Sequence, residues 1–244
     1  METLNLTVPT SWAELSQHQL LHVFTCIAAG YNATQIKTCA LIRWNGIDVL
    51  TQTQPHIHTI RKDKRIYEVS TSQIVAVLAA LDYLGDVPSV PVRLEEIKGH
   101  KALAADFSEV PFNTFIMCDN LYQGYLHMQN EDLLAEMASI LYDINEPITL
   151  TKAQGISIFY WWMSLKKHFG NMFPNFLKPA EVSDASPSGN LYRQLSESMN
   201  AQIRALTKGD ITKEKEVLAM DTWRALTELD AQAKEYDEMK RNSK

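Results

Sequence analysis

The stretch ISIFYWWMSL, Ile156 to Leu165, restricts the possible folds more than any other part of the chain. The pattern predicts a helix that Thr151 caps, that runs through Tyr160, Trp161 and Trp162 to His168, and that Gly170, Pro174 and Pro179 end. Successive helical residues point about 100° apart, so Phe159 to Met163 cannot share one face. The segment is therefore enclosed on several sides, or presents one side to a partner. A core helix is the favoured reading. An interface is the alternative, because Trp and Tyr concentrate binding energy. A membrane span is excluded, since it takes about 20 apolar residues and Lys166, Lys167 and His168 interrupt this run.

The elements around it are legible from local chemistry. Ser16-Gln17-His18-Gln19 has the form of a capping box. Leu20, Leu21, Phe24, Ile27 and Ala28 follow at helical spacing, with Gly30 as the stop. A second helical run, Ala33 to Trp44, ends at Asn45-Gly46. Then the period changes: IHTI and RIYEVS flank Arg61 to Lys64, which predicts a β-hairpin near 57–70. Ser70 to Gln73 is another capping box, leading into a helix that reaches Gly85. Pro88 and Pro91 exclude helix interior, leaving room for a short strand at Val92 to Leu94. Beyond Pro111, which suits a first helical turn, come a helix with a broad apolar face and a further one capped by Asn130. The fold class is thus mainly α, with a small β-hairpin or sheet in the N-terminal part and a C-terminal helical hairpin.

Glu181 to Asn190 reads as a linker, being polar and containing Pro187, Ser188 and Gly189. Residues 191–244 carry no net charge, whereas 1–190 carry the whole net charge of -6. The expected organisation is a globular body over 1–180, a linker over 181–190 and a helical hairpin arm over 191–244. The charge balance gives the chain as a whole no footprint for nucleic acid. The N-terminus lacks the basic and apolar regions of a signal peptide. Cys26, Cys39 and Cys118 are odd in number and widely spaced, so they read as small hydrophobes and not as a disulfide or zinc framework.

Catalytic and cofactor motifs are missing. There is no GxxxxGKS or GxxxxGKT, no GxGxxG and no GxSxG, and Glu95-Glu96 are adjacent, so they cannot face each other across a cleft. His56-Ile57-His58 would put two imidazoles on one strand face, but no third ligand is near in sequence, and a polar strand face is the preferred reading. Arg61, Lys62, Lys64 and Arg65 form the densest basic cluster, read as a solvated hairpin tip in preference to a phosphate grip. No catalytic residue, metal ligand or cofactor is expected.

The C-terminal segment reads as one helix of about 25 residues. Leu218, Thr222, Ala225, Leu226, Leu229, Ala233 and Tyr236 make its main stripe, while Val217, Met220 and Trp223 form a second apolar line. Trp223 and the adjacent Arg224 are residue types favoured at interface hot spots. With Met220, Val217 and Arg204 they are the candidate partner-binding residues. Packing of Trp223 on the helix at Leu191 to Leu206 is the competing reading.

Three segments together carry a resemblance: NAQIRALTKGDITKEKEVLAMDTWRALTELDAQAKEYDEM, FPNFLKP and the opening TVPTSWAELSQHQLL. This pattern resembles a family of uncharacterised proteins of phages and prophages of gut Bacteroidales, similar in gene context to virion structural or tail-assembly components. The resemblance implies no catalytic residues. It implies a non-enzymatic virion structural or assembly protein of the head–tail connector or tail region, with other phage structural proteins or copies of itself as partners. The implied location is the virion, or the host cytoplasm during assembly. A tail-assembly chaperone absent from the mature virion is the alternative, and an enzyme of unknown class a distant one.

Overall fold

The structure is a computed structural model that describes residue 4, residues 6–177 and residues 191–242, without the side chains of Gln52, Thr53, Leu191 and Tyr192. The expected linker at 181–190 lies outside the described residues. The chain divides into two compact units, one of residues 1–88 and 150–160, the other of 89–149 and 161–244. Residues 191–242 thus group with the middle of the chain in the second unit.

In the first unit, α1 (Gln17–Ala28) and α2 (Ala33–Trp44) start at reciprocal capping boxes, Ser16 with Gln19 and Asn32 with Gln35. Each box satisfies two backbone donors that a helix start otherwise leaves orphaned. Three antiparallel strands follow in the order β1 (Asp48–Gln54), β2 (Ile57–Lys62) and β3 (Arg65–Ser70). Asp63 and Lys64 both have positive φ (51° and 65°), as a two-residue type I′ turn between β2 and β3 requires. Ser70 then caps α3 (Thr71–Ala79) with Gln73. Ile47, Ile60 and Val69 form a core here, against which Leu6, Ile42, Tyr67 and Ile74 pack. Beside it, the Trp12 indole donates to the carbonyls of Tyr83 (2.9 Å) and Asp86 (3.2 Å), and its ring lies within 6.4 Å of Phe24 and Tyr160.

β1 extends the expected hairpin into a sheet. Its DVLTQTQ sequence is too polar to signal a strand, and its pairing with β2 is broken by two register shifts. The reading of His56 and His58 as neighbours on one strand face is corrected. His56 sits in the β1–β2 turn with φ 74°, and only His58 lies on β2, where its Nε2 is 3.0 Å from Thr71 Oγ1. At the basic tip, Lys62 faces Arg65 across the hairpin, and Arg61 forms a 2.9 Å ion pair with Asp48.

The second unit holds a two-residue hairpin, β4 (Glu96–Ile97) with β5 (His100–Lys101), then α4 (Phe112–Met128) and α5 (Glu131–Leu141). The possible strand at Val92 to Leu94 is not one. The Val92 amide donates to Ser164 Oγ (3.2 Å) and the Leu94 carbonyl accepts from Tyr142 (2.7 Å), so side chains hold this extended segment. The long helix α6 (Lys152–Met172) is capped by Thr151 with Gln154, and gives residues 161–172 to this unit. Trp161 and Trp162 are fully buried in it. Trp162 stacks on Phe115 at 5.6 Å, and Phe107 meets both indoles edge-on.

The last elements are α7 (Leu191–Thr207), a 3-10 turn at Ile211–Lys213, α8 (Glu214–Ala219) and α9 (Thr222–Asn242). The expected single C-terminal helix is therefore corrected to two. At the break, the Met220 carbonyl accepts from the Phe112 amide (2.8 Å), and the Thr222 amide and hydroxyl both donate to the Val110 carbonyl (2.9 and 2.6 Å). Asp221 accepts from the Glu109 amide (2.9 Å) and, as the N-cap of α9, from the Arg224 amide (3.1 Å). A continuous helix would forfeit this bridge. Phe107 and Glu109, in the loop so held, have φ of 62° and 60°, unusual for bulky residues.

Two outcomes follow for stability. Asp221→Ala removes both acceptors at the helix break and should lower unfolding stability by about 1–2 kcal/mol in urea titration, the usual range for a lost N-cap. Asp221→Asn should recover part of it. His22 on α1 is held below its ordinary pKa, first by burial and second by the charge of Arg43. The folded chain therefore favours the neutral imidazole, while the unfolded chain takes up a proton near pH ~6.5. Stability should fall as pH drops from 7 through this value, and His22→Gln should flatten that part of a melting-temperature profile.

Candidate partner-binding surface

α9 is fixed to the second unit by two groups of contacts. Near its start, the Trp223 indole donates to the Asp106 carbonyl (2.8 Å), and its ring lies 5.7, 5.4 and 5.6 Å from those of His168, Phe169 and Phe173. Two turns on, Asp230 accepts from the amides of Asn175 (2.7 Å) and Phe176 (3.0 Å) and from Asn175 Nδ2 (2.8 Å). Burial pushes the Asp230 carboxyl up, but these bonds outweigh it, with help from Lys234, and hold it below the usual range. Asp106 follows the same logic: burial raises it, and the Ser108 amide and hydroxyl with the His168 charge bring it down.

The five candidate residues separate accordingly. Val217 is 4% exposed and packs inside. Trp223 is half-buried against the end of α6, where its ring meets Phe169, so it is not the free partner-facing surface that was expected of it. Arg204 and Arg224 are exposed and Met220 is half-buried. Met220 and Arg224 share an open depression of about 380 Å³ with Leu206, Thr227 and Glu228. Arg204 lines another, of about 330 Å³, with Ile203, Ile211 and Glu214.

Both depressions have the same chemistry: an apolar floor, one arginine and one glutamate. Leu206 and Met220 are the apolar lining of the first; in the second the buried Ile203 lies at the base and Ile211 at the edge. Mixed charge over an apolar base suits a protein surface better than a phosphate backbone, which selects for one sign. Ile211 is 83% exposed, the most exposed of the large apolar side chains described. Periodicity does not single it out, because it is a lone apolar residue in GDITKEKE. The turn chemistry around it does: Gly209 takes φ 83° and Asp210 caps the next turn by accepting from the Thr212 amide (3.0 Å), which puts Ile211 on a corner. Among the described residues, no group of three or more His, Cys, Asp and Glu side chains is placed to hold a metal ion. None of the described helices is long and apolar enough to cross a membrane.

Trp223→Ala removes a packed indole and leaves the Asp106 carbonyl short of a donor, and should cost about 3 kcal/mol by chemical denaturation. Arg224→Ala, next to it, should change stability by no more than ~0.5 kcal/mol, as is usual for exposed positions. The chain matches no protein-family model, no curated protein and no solved structure, so this surface stands on its own geometry.

Proposed function

We propose that this chain is a non-enzymatic structural or assembly protein of a bacteriophage, acting in the head–tail connector or tail region through contacts with other phage structural proteins or with copies of itself. The observation that carries the protein–protein part is the pairing of apolar floor and exposed arginine in the two depressions of the C-terminal helices. Arginine over a partly buried apolar base is a composition that concentrates binding energy. The phage part rests on the resemblance of the sequence pattern. Two of the three pieces that carry it also pack together: Phe173 and Asn175 of FPNFLKP touch Trp223 and Asp230 of the C-terminal segment.

Mass spectrometry of purified virions, from the phage or induced prophage that encodes the chain, tests this reading. A structural component should be present at a fixed ratio to the other tail or connector proteins. Absence from particles, with recovery in complex with a tail protein from infected cells, would instead identify a tail-assembly chaperone. Absence from both would overturn the proposal. The double variant Arg204→Glu, Arg224→Glu should keep its melting temperature and lose the partner contact.

A further inference from the structure

The turn from α7 into α8 leaves one large apolar side chain outside the core. A lone exposed isoleucine is ordinary on a protein surface. Ile211 differs in where it stands: at the edge of the depression of about 330 Å³ that has the buried Ile203 at its base. One patch thus carries both an apolar knob and an apolar recess. It also carries both signs of charge, since Arg204 on α7 and Glu214 at the start of α8 line the same depression, and both are exposed. Among the described residues the two form no ion pair with each other. The depression at Arg224 has the same charges but no such knob, because Leu206 and Met220 are both half-buried.

We propose, on the reading of the Arg204 depression as a contact surface, that it binds a second copy of this chain about a two-fold axis. In such a contact a residue i meets j, and j meets i, so the patch must complement itself. A knob beside a recess and an arginine beside a glutamate meet that requirement. Ile211 of each copy enters the recess over Ile203 of the other, and Arg204 of each faces Glu214 of the other. The distribution of charge points to the same occupant. Residues 1–190 carry the whole net charge of -6, so two copies repel through that part, whereas residues 191–244 carry none. The apolar exchange supplies most of the attraction, because ion pairs at an exposed rim contribute little. The arginines and glutamates set the register.

Analytical ultracentrifugation of the full chain over a dilution series should show a reversible monomer–dimer equilibrium. Ile211→Asp should raise the dissociation constant about 30-fold or more, as loss of an interface hot spot does. It should leave the melting temperature unchanged, because the side chain is 83% exposed. Arg204→Glu and Glu214→Arg should each weaken association. Mixed in equal amounts, these two variants should form a heterodimer, since opposite charges then meet at both contacts. The double variant Arg204→Glu, Glu214→Arg should associate with itself again. A monomer at every concentration, a dimer indifferent to Ile211→Asp, or single variants that do not pair on mixing would overturn the proposal. Should Glu214→Arg fail to fold, Ile211→Asp decides alone. A monomer still found in purified virions would overturn self-association and leave the structural reading standing. A dimer absent from virions and from tail-protein complexes would uphold self-association and overturn the phage reading.

Discussion

Two adjacent tryptophans on one helix have two indole N–H groups to satisfy, and they point in different directions. A buried donor left unpaired costs about 1–3 kcal/mol, so each must find its own acceptor. Trp161 donates to the Ala105 carbonyl (2.8 Å) and Trp162 to Asp119 on α4 (3.1 Å). The first bond draws the loop at 105–110 against α6, and the second sets the position of α4. Asp119 then carries a further charge partner, Lys166, at 2.9 Å. The loop fixed in this way offers its carbonyls at Asp106 and Val110 to Trp223 and Thr222. The attachment of α9, and with it the surface around Arg224 and Met220, depends on that sequence of acceptors.

Much of the fold is legible in local chemistry alone. The capping boxes at Ser16 and Ser70, the cap at Asn130 and the cap at Thr151 all start helices where the residue types require them. The mainly helical class with a small N-terminal sheet follows from them and from the alternation around Ile60 and Tyr67. What local chemistry hides depends on distant partners. β1 is a strand because β2 lies beside it, not because DVLTQTQ is apolar. The break at Met220 and Asp221 answers to acceptors and donors at 109–112, more than a hundred residues earlier. Within the candidate surface, residue type points to arginine and tryptophan alike, but only packing separates Trp223, turned toward Phe169, from Arg224, turned outward. Helical spacing cannot make that distinction, because the second apolar line belongs to two helices.

The same separation bears on how the sequence pattern relates to binding. Phe173, Asn175, Trp223 and Asp230 hold α9 to the end of α6. The groups that face outward, Arg204, Ile211 and Arg224, sit between them in sequence but serve no such purpose. A chain can therefore keep the frame of this unit while changing its exterior.

The loop at 105–110 carries a left-handed phenylalanine, Phe107, and a left-handed glutamate, Glu109. Each such conformation costs on the order of 1–3 kcal/mol and persists only where its surroundings enforce it. Part of that enforcement comes from residues 220–223, which leave the ribosome long after the loop does. The remainder comes from Trp161 and Trp162 of α6, which hold Ala105 and Phe107. The loop therefore has its full set of braces only once the chain has been made as far as Trp223.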